Sequence, residues 1–247
     1  MTRLSALWSY CFGNWGVRAF SLVLGIVFFV PALHAQQDYV GRFDLFGGFT
    51  YLNSPRINLQ ERGFHLQFGV RPKEWYTLGF DYSVSTGHTS LSPNELTTSL
   101  QQQLGAQIGA LVAAGIIPPT YTLSVPLASR TQTFAAGPQV AYHGWKPITP
   151  FLRPSIGAIY EVATPHATDP ISAAIVAQLA PSGQKTDWTG FYGFGGGVDV
   201  NVTRHFALRF QSDFVHDHLF SDLLKNGRNT VRLSVGPALQ FGGNVAK

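Results

Sequence analysis

The sequence predicts an all-β fold, an eight-stranded antiparallel up-and-down transmembrane β-barrel with short helices in its extracellular loops. Three observations carry this reading. Segments along the chain alternate apolar and polar residues, and their charges fall on the polar face. Short and long connectors alternate between those segments. An export signal precedes them, and no stretch after it has the length of a transmembrane helix.

Arg3 and Arg18 supply positive charge ahead of and at the start of an apolar run, Ala19 to Val30, which Pro31 bounds. The run is short for a bilayer span, and Leu33-His34-Ala35 has a small residue at its end, as signal cleavage requires. Residues 1–35 are therefore expected to be a signal peptide, with cleavage near Ala35, and residues 36–247 one barrel domain. Cys11 falls within the signal, so no disulfide framework is expected in the mature chain.

The composition suits a membrane barrel: 12% charged, 13% aromatic and 26 Gly, with a mean hydropathy of +0.08. Arg3 and Arg18 account for two of the four net positive charges, leaving +2 on the mature chain and no Lys/Arg cluster. That excludes a nucleic-acid footprint.

The first segment, about Val40 to Leu52, sets Phe43, Leu45, Phe49 and Tyr51 outside and Arg42, Asp44 and Thr50 inside. In Gly63 to Arg71, Phe64, Leu66, Phe68 and Val70 oppose His65, Gln67 and Arg71. Trp75 to Ser85 exposes Tyr76, Leu78, Phe80, Tyr82 and Val84 against Gly79, Asp81 and Ser83. The fourth segment ends at Tyr142, with Phe134 and Val140 opposite Thr133, Gly137 and Gln139. Pro150 to Glu161 sets Leu152, Ile156 and Tyr160 against Arg153, Ser155 and Gly157. In Trp188 to Val202, Tyr192, Phe194, Val198 and Val200 oppose Gly193, Gly195, Gly197 and Asp199. In His205 to Val215, Phe206, Leu208, Phe210 and Phe214 oppose Arg209, Gln211 and Asp213. Val231 to Phe241 closes the set, with Arg232, Ser234 and Gln240 inside.

Charge placement separates a barrel from a soluble sandwich. A Lys or Arg facing lipid at mid-depth costs about 2–4 kcal/mol, so the charges belong in the lumen, where both signs must pair. The expected lumenal network is Arg42, Asp44, His65, Asp81, Arg153, Asp199, Arg209, Asp213 and Arg232. Pro138, Pro154 and Pro237 each cost a ladder bond and are expected at bulges or breaks. Gly193, Gly195 and Gly197 make room in the lumen.

The links at Pro72–Glu74, His143–Ile148 and Thr203–Arg204 are short; those at Asn53–Arg62, Thr86–Arg130, Ala163–Asp187 and His216–Arg228 are longer. In the second long loop, Ser92-Pro93-Asn94-Glu95 reads as a capping box that opens a helix carrying Leu96, Leu100, Leu104, Ile108 and Leu111, ended by Gly115 and Pro118-Pro119. Asp169-Pro170 opens another, with Ile171, Ile175 and Leu179, stopped by Pro181 and Gly183. Two readings of these apolar faces compete. Either the helices pack on each other as a cap over the barrel mouth, or the same residues form a partner- or lipid-binding surface.

Gly193-Phe194-Gly195-Gly196-Gly197-Val198-Asp199-Val200, with Phe206-Ala207-Leu208-Arg209 and Asp213, resembles the final hairpins of the OmpA-like outer-membrane β-barrel family. Arg232-Leu233-Ser234-Val235-Gly236 with Phe241-Gly242 is similar to that family's closing strand, and Pro150-Phe151-Leu152-Arg153 to one of its strand openings. The resemblance implies a small barrel of the bacterial outer membrane, without the peptidoglycan-binding domain of many OmpA proteins. It also implies that Phe241 serves recognition by the barrel-assembly machinery, although Gly242–Lys247 extend past it. Outer-membrane lipid and lipopolysaccharide are the expected surroundings, and a monomer the expected state.

Chemistry-bearing constellations are sparse. His65 and His143 have no Ser at a spacing that suggests a nucleophile and base. His216-Asp217-His218, with Asp222 nearby, places two His on one face, without a third defined ligand. Neither cofactor nor metal is expected. The leading expectation is a non-enzymatic, membrane-embedded scaffold displaying loops for envelope integrity or surface interaction. A narrow or gated passive channel for ions or small solutes is the alternative, and a lipid-modifying enzyme a third reading.

Overall fold

The computed structural model describes residues 37–225 and 227–246. The signal-peptide expectation and Cys11 lie outside the described residues. Eight strands close into a barrel in chain order, each antiparallel to its neighbours. They are β1 Gly41–Ser54, β2 Leu59–Lys73, β3 Tyr76–Leu91, β4 Val125–Ala141, β5 Ile148–Pro165, β6 Lys185–Asn201, β7 Phe206–Asp217 and β8 Arg228–Asn244, with β8 pairing β1. Two helices, α1 Thr98–Ala113 and α2 Pro170–Leu179, lie in the β3–β4 and β5–β6 loops. No helix among the described residues is long and apolar enough to cross a membrane.

The surface is that of a transmembrane barrel. Within the belt the outward side chains are mostly apolar or aromatic, with Phe80 67%, Ile156 69% and Tyr192 63% exposed, while the inward ones are buried and mostly polar. This inverts a soluble fold, because hydrocarbon favours the apolar exterior and leaves the polar groups to satisfy one another inside.

The strands run further at the long-loop end than the alternation indicates. The expected first loop, Asn53–Arg62, is mostly hairpin, with Ser54 paired to Leu59, and β3 continues to Leu91. Above the apolar belt both faces are polar, so the hydrophobic signal fades while the ladder bonds continue.

The prolines interrupt the ladder. Between β4 and β5, pairing breaks off after Ala136–Ile156 and resumes at Val140–Leu152. In that register Pro138 faces Pro154, and neither has an N–H to give. Between β1 and β8 the gap lies between Phe46–Ala238 and Phe49–Val235, where Pro237 faces Gly47. Each keeps its place on the other side, Pro138 with Leu78, Pro154 with Phe194 and Pro237 with Leu208.

The capping box at Ser92 closes a 3-10 turn, Pro93–Glu95, rather than the α-helix. The chain then extends at Leu96, and α1 starts separately from Thr97. Leu96 bridges to Leu224 in the last loop, and this contact holds it out of helical geometry. The α2 start follows the sequence: Asp169 accepts from the N–H groups of Ile171 and Ser172, with Pro170 in the first turn. The Ser172 backbone bond leads in holding the Asp169 carboxyl below its ordinary range.

Candidate functional site

The lumen is filled by charged side chains in three tiers. At the short-turn end, Arg209 of β7 donates from Nε to Asp199 Oδ1 at 2.7 Å and from Nη1 to Asp44 Oδ1 at 3.0 Å. Arg71 joins from β2, 3.4 Å from Asp44, and donates to the Gly41 carbonyl at 2.8 Å. The Arg209 guanidinium also lies over the rings of Phe151 at 4.9 Å and Phe46 at 5.5 Å.

The middle tier centres on Asp81 of β3. Arg153 lies 2.6 Å from its carboxylate and Arg232 3.5 Å, while Arg232 donates from Nε to Asp213 at 2.9 Å. His65 sits here with Nδ1 3.0 Å from Ser234 Oγ and Nε2 3.7 Å from Asp81. Ser, His and Asp thus stand in the order a hydrolytic triad uses, but His65 and Asp81 are separated by more than a hydrogen bond. Ser234 also contacts Thr50 at 3.1 Å, and the group is enclosed by the barrel wall. Polar packing accounts for these contacts.

The third tier lies toward the long loops. Arg228 donates to Glu161 at 2.7 Å and to Asp217 at 3.2 Å. Glu61 accepts from Ser129 at 2.8 Å, Thr131 at 2.9 Å and Ser85 at 3.2 Å. An apolar cluster of Ala135, Ile159, Phe191 and Val215 fills the β4–β7 side of the lumen, and Leu219 and Phe220 of the β7–β8 loop fold into it.

The structure brings Asp44, His65, Asp81, Arg153, Asp199, Arg209, Asp213 and Arg232 together in the lumen, all buried. Arg42 does not join them. It is exposed, at the register shift between Gly41 and Phe43 where β1 meets β8, because that irregularity ends the regular alternation. Arg71 is the buried arginine at that level. The third tier was missed as a group because Glu61, Ser129, Asp217 and Arg228 stand where loops were expected. Glu61 nonetheless keeps the parity of His65 and Gln67, which is the signal that finds it.

The loop residues expected as an interaction surface mostly face one another. Leu96, Leu104 and Ile175 are buried in one cluster with Leu123 and Val125, and Leu100, Ile108, Ile171 and Leu179 pack against it. Leu111 is half-buried at the end of α1. The helices bury this face mutually because an apolar stripe in water is stabilised by a facing one. Tyr121 Oη ties the pair, donating to Asp169 at 3.1 Å. The β7–β8 loop is sewn on by Thr97 N–H to Leu223 O at 2.7 Å and Lys225 N–H to Glu95 O at 3.1 Å.

Asp217 points inward to Arg228 and Asp222 pairs with Lys185, so neither joins His216 and His218. Among the described residues no group of three or more His, Cys, Asp or Glu is arranged to hold a metal ion. His143, in the β4–β5 turn, is buried and has its pKa pushed down to about 4 by burial and by Arg71. Phe241 lies outward on β8 beside Phe43, three residues before the strand ends.

No family model matches the chain, and no curated protein matches it in sequence. Solved structures do. Ail of Yersinia pestis is 9% identical over 82% of this chain and 99% of its own, with a TM-score of 0.45. Neisserial surface protein A is 10% identical over 81% and 96%, with a TM-score of 0.46. The outer membrane protein OprG of Pseudomonas aeruginosa is 11% identical over 83% and 98%, with a TM-score of 0.44.

Proposed function

We propose that this chain is a non-enzymatic scaffold of a bacterial outer membrane, with its short turns in the periplasm and its loop cap displayed outside. The observation that carries the reading is the filled lumen. Arg71 and Arg209 of the first tier, Arg153 and His65 of the middle one, and Gln67, which accepts from Arg209 and donates to Gln139, are each less than 2% accessible to water, as is Gln139. Passage of an ion past these levels requires buried ion pairs to separate in low dielectric, which costs several kcal/mol per charge. What the barrel offers to other molecules is then its outside. The α1 face turned away from the cluster is rich in Gln and small residues, and Ile116 beyond it is exposed.

An epitope inserted between Ser182 and Gly183, in an exposed turn, tests the orientation. Antibody access on intact cells supports the reading, and access only after permeabilisation overturns it. Replacing residues 93–115 by a short Gly-Ser turn then tests the display role. Loss of cell-surface adhesion with the barrel still folded supports it, and unchanged adhesion removes α1 from the interaction surface.

A further inference from the structure

Arg62 of β2 is the cross-strand partner of Thr86 of β3, and Thr86 is in turn the partner of Arg130 of β4. All three face outward and are exposed. Two strand spacings separate the arginines, about 10 Å, so both guanidinium groups reach the space over the threonine hydroxyl. Neither arginine has an ion-pair or hydrogen-bond partner among the described residues. The nearest acid in sequence, Glu61, is turned into the lumen and held by Ser85, Ser129 and Thr131. The row is thus an uncompensated double positive charge on the outside of the wall.

Its height decides what it meets. Directly below stand Phe64, Val84 and Gln132, and below those Leu66, Tyr82 and Phe134, the next rows of the same strands. The arginines therefore sit at the upper edge of the apolar belt, where lipid head groups lie. From Phe134 an outward, mostly apolar furrow of about 720 Å³ runs beside Phe80, Ala136, Ile156, Ala158 and Tyr192 and is bordered by His216 and His218. It faces hydrocarbon and has the lining of an acyl-chain bed.

We propose that Arg62, Thr86 and Arg130 bind a phosphate of an acylated, phosphorylated glycolipid of the outer leaflet, with an acyl chain laid in the furrow. Guanidinium groups take phosphate oxygens through charge-assisted, bidentate bonds, and the threonine hydroxyl supplies a third donor. The inference rests on the outer-membrane orientation proposed above. It is tested in micelles, so its failure is distinguishable from failure of the epitope experiment.

The refolded full chain in neutral detergent is titrated with lipid A bearing two phosphates, with lipid A stripped of phosphate and with phosphatidylglycerol, and read by native mass spectrometry. The phosphorylated glycolipid is expected to bind best. The R62Q/R130Q protein is expected to bind it roughly tenfold or more weakly, while R204Q, at the opposite end of the barrel, binds as the parent does. Retained heat-modifiable migration shows that each variant is folded. Equal binding of the dephosphorylated lipid, or undiminished binding by the double variant, overturns the proposal. Displacement by millimolar inorganic phosphate overturns the lipid as the source of the phosphate.

Discussion

Arg209 donates from Nε to Oδ1 of Asp199, its direct partner across the β6–β7 ladder, at 2.7 Å, deep inside the barrel. The same guanidinium reaches Asp44 on β1 at 3.0 Å, so one cation compensates two carboxylates. Removing it leaves Asp199 unpaired, and Asp44 with Arg71 alone, in a desolvated space. R209M is expected to lose about 3–5 kcal/mol of stability, against little change for the exposed R204M. Urea unfolding in lipid vesicles measures both, and equal midpoints would show that the inner tier is not required for folding.

Gly195 stands beside the middle tier. A Cβ added there would lie 1.9 Å from Asp213 Oδ1, so glycine is what lets that carboxylate reach Arg232. G195A is expected to displace Asp213 and destabilise the barrel by about 1–3 kcal/mol, as overpacking commonly does. Gly105, on α1 in the loop cap, has open space around it, so G105A should be neutral or slightly stabilising. Similar losses in the two variants would contradict the close packing at Gly195.

His143 gives the barrel a dependence on pH. Its folded pKa of about 4 lies below the ordinary 6.5, so between these values the unfolded chain takes up a proton that the folded one refuses. Stability is full above pH 6.5 and falls as pH drops toward 4, by at most about 3 kcal/mol. H143L is expected to show a smaller loss between pH 7 and pH 4.5 than the parent. Identical pH slopes would place the neutral histidine elsewhere.

At the seam between β4 and β5, Pro138 and Pro154 leave the wall without ladder bonds. Amide exchange at Ala136, Val140, Leu152 and Ile156, the β4–β5 donors that flank the gap, is expected to be faster than at Phe80 and Tyr82 on the intact β2–β3 ladder. P138V/P154V returns two donors and is expected to raise stability by about 1–3 kcal/mol. Uniform exchange around the barrel would show that the seam is closed.

Within the apolar belt the fold was legible because lipid and lumen enforce strict alternation, and one slipped residue would put a charge in hydrocarbon. Asp44, Asp81, Arg153 and Arg232 therefore stand where parity alone sets them. Legibility ended where that constraint ended. Arg42 escapes the lumen at a register shift, which alternation does not encode. The helix start moved from Pro93 to Thr98 because a bridge from Leu96 to Leu224, far apart in sequence, overrode a good capping box. The Ser234–His65–Asp81 contacts join three strands, and no local spacing announces them.

Single-channel recording in a planar bilayer tests the closed lumen most directly. The full chain and the chain lacking residues 93–115 are both expected to be silent, because the ion-pair tiers close the barrel beneath the cap. Discrete conductance steps from the unmodified protein, altered by R153A, would contradict the filled lumen and establish a path through it.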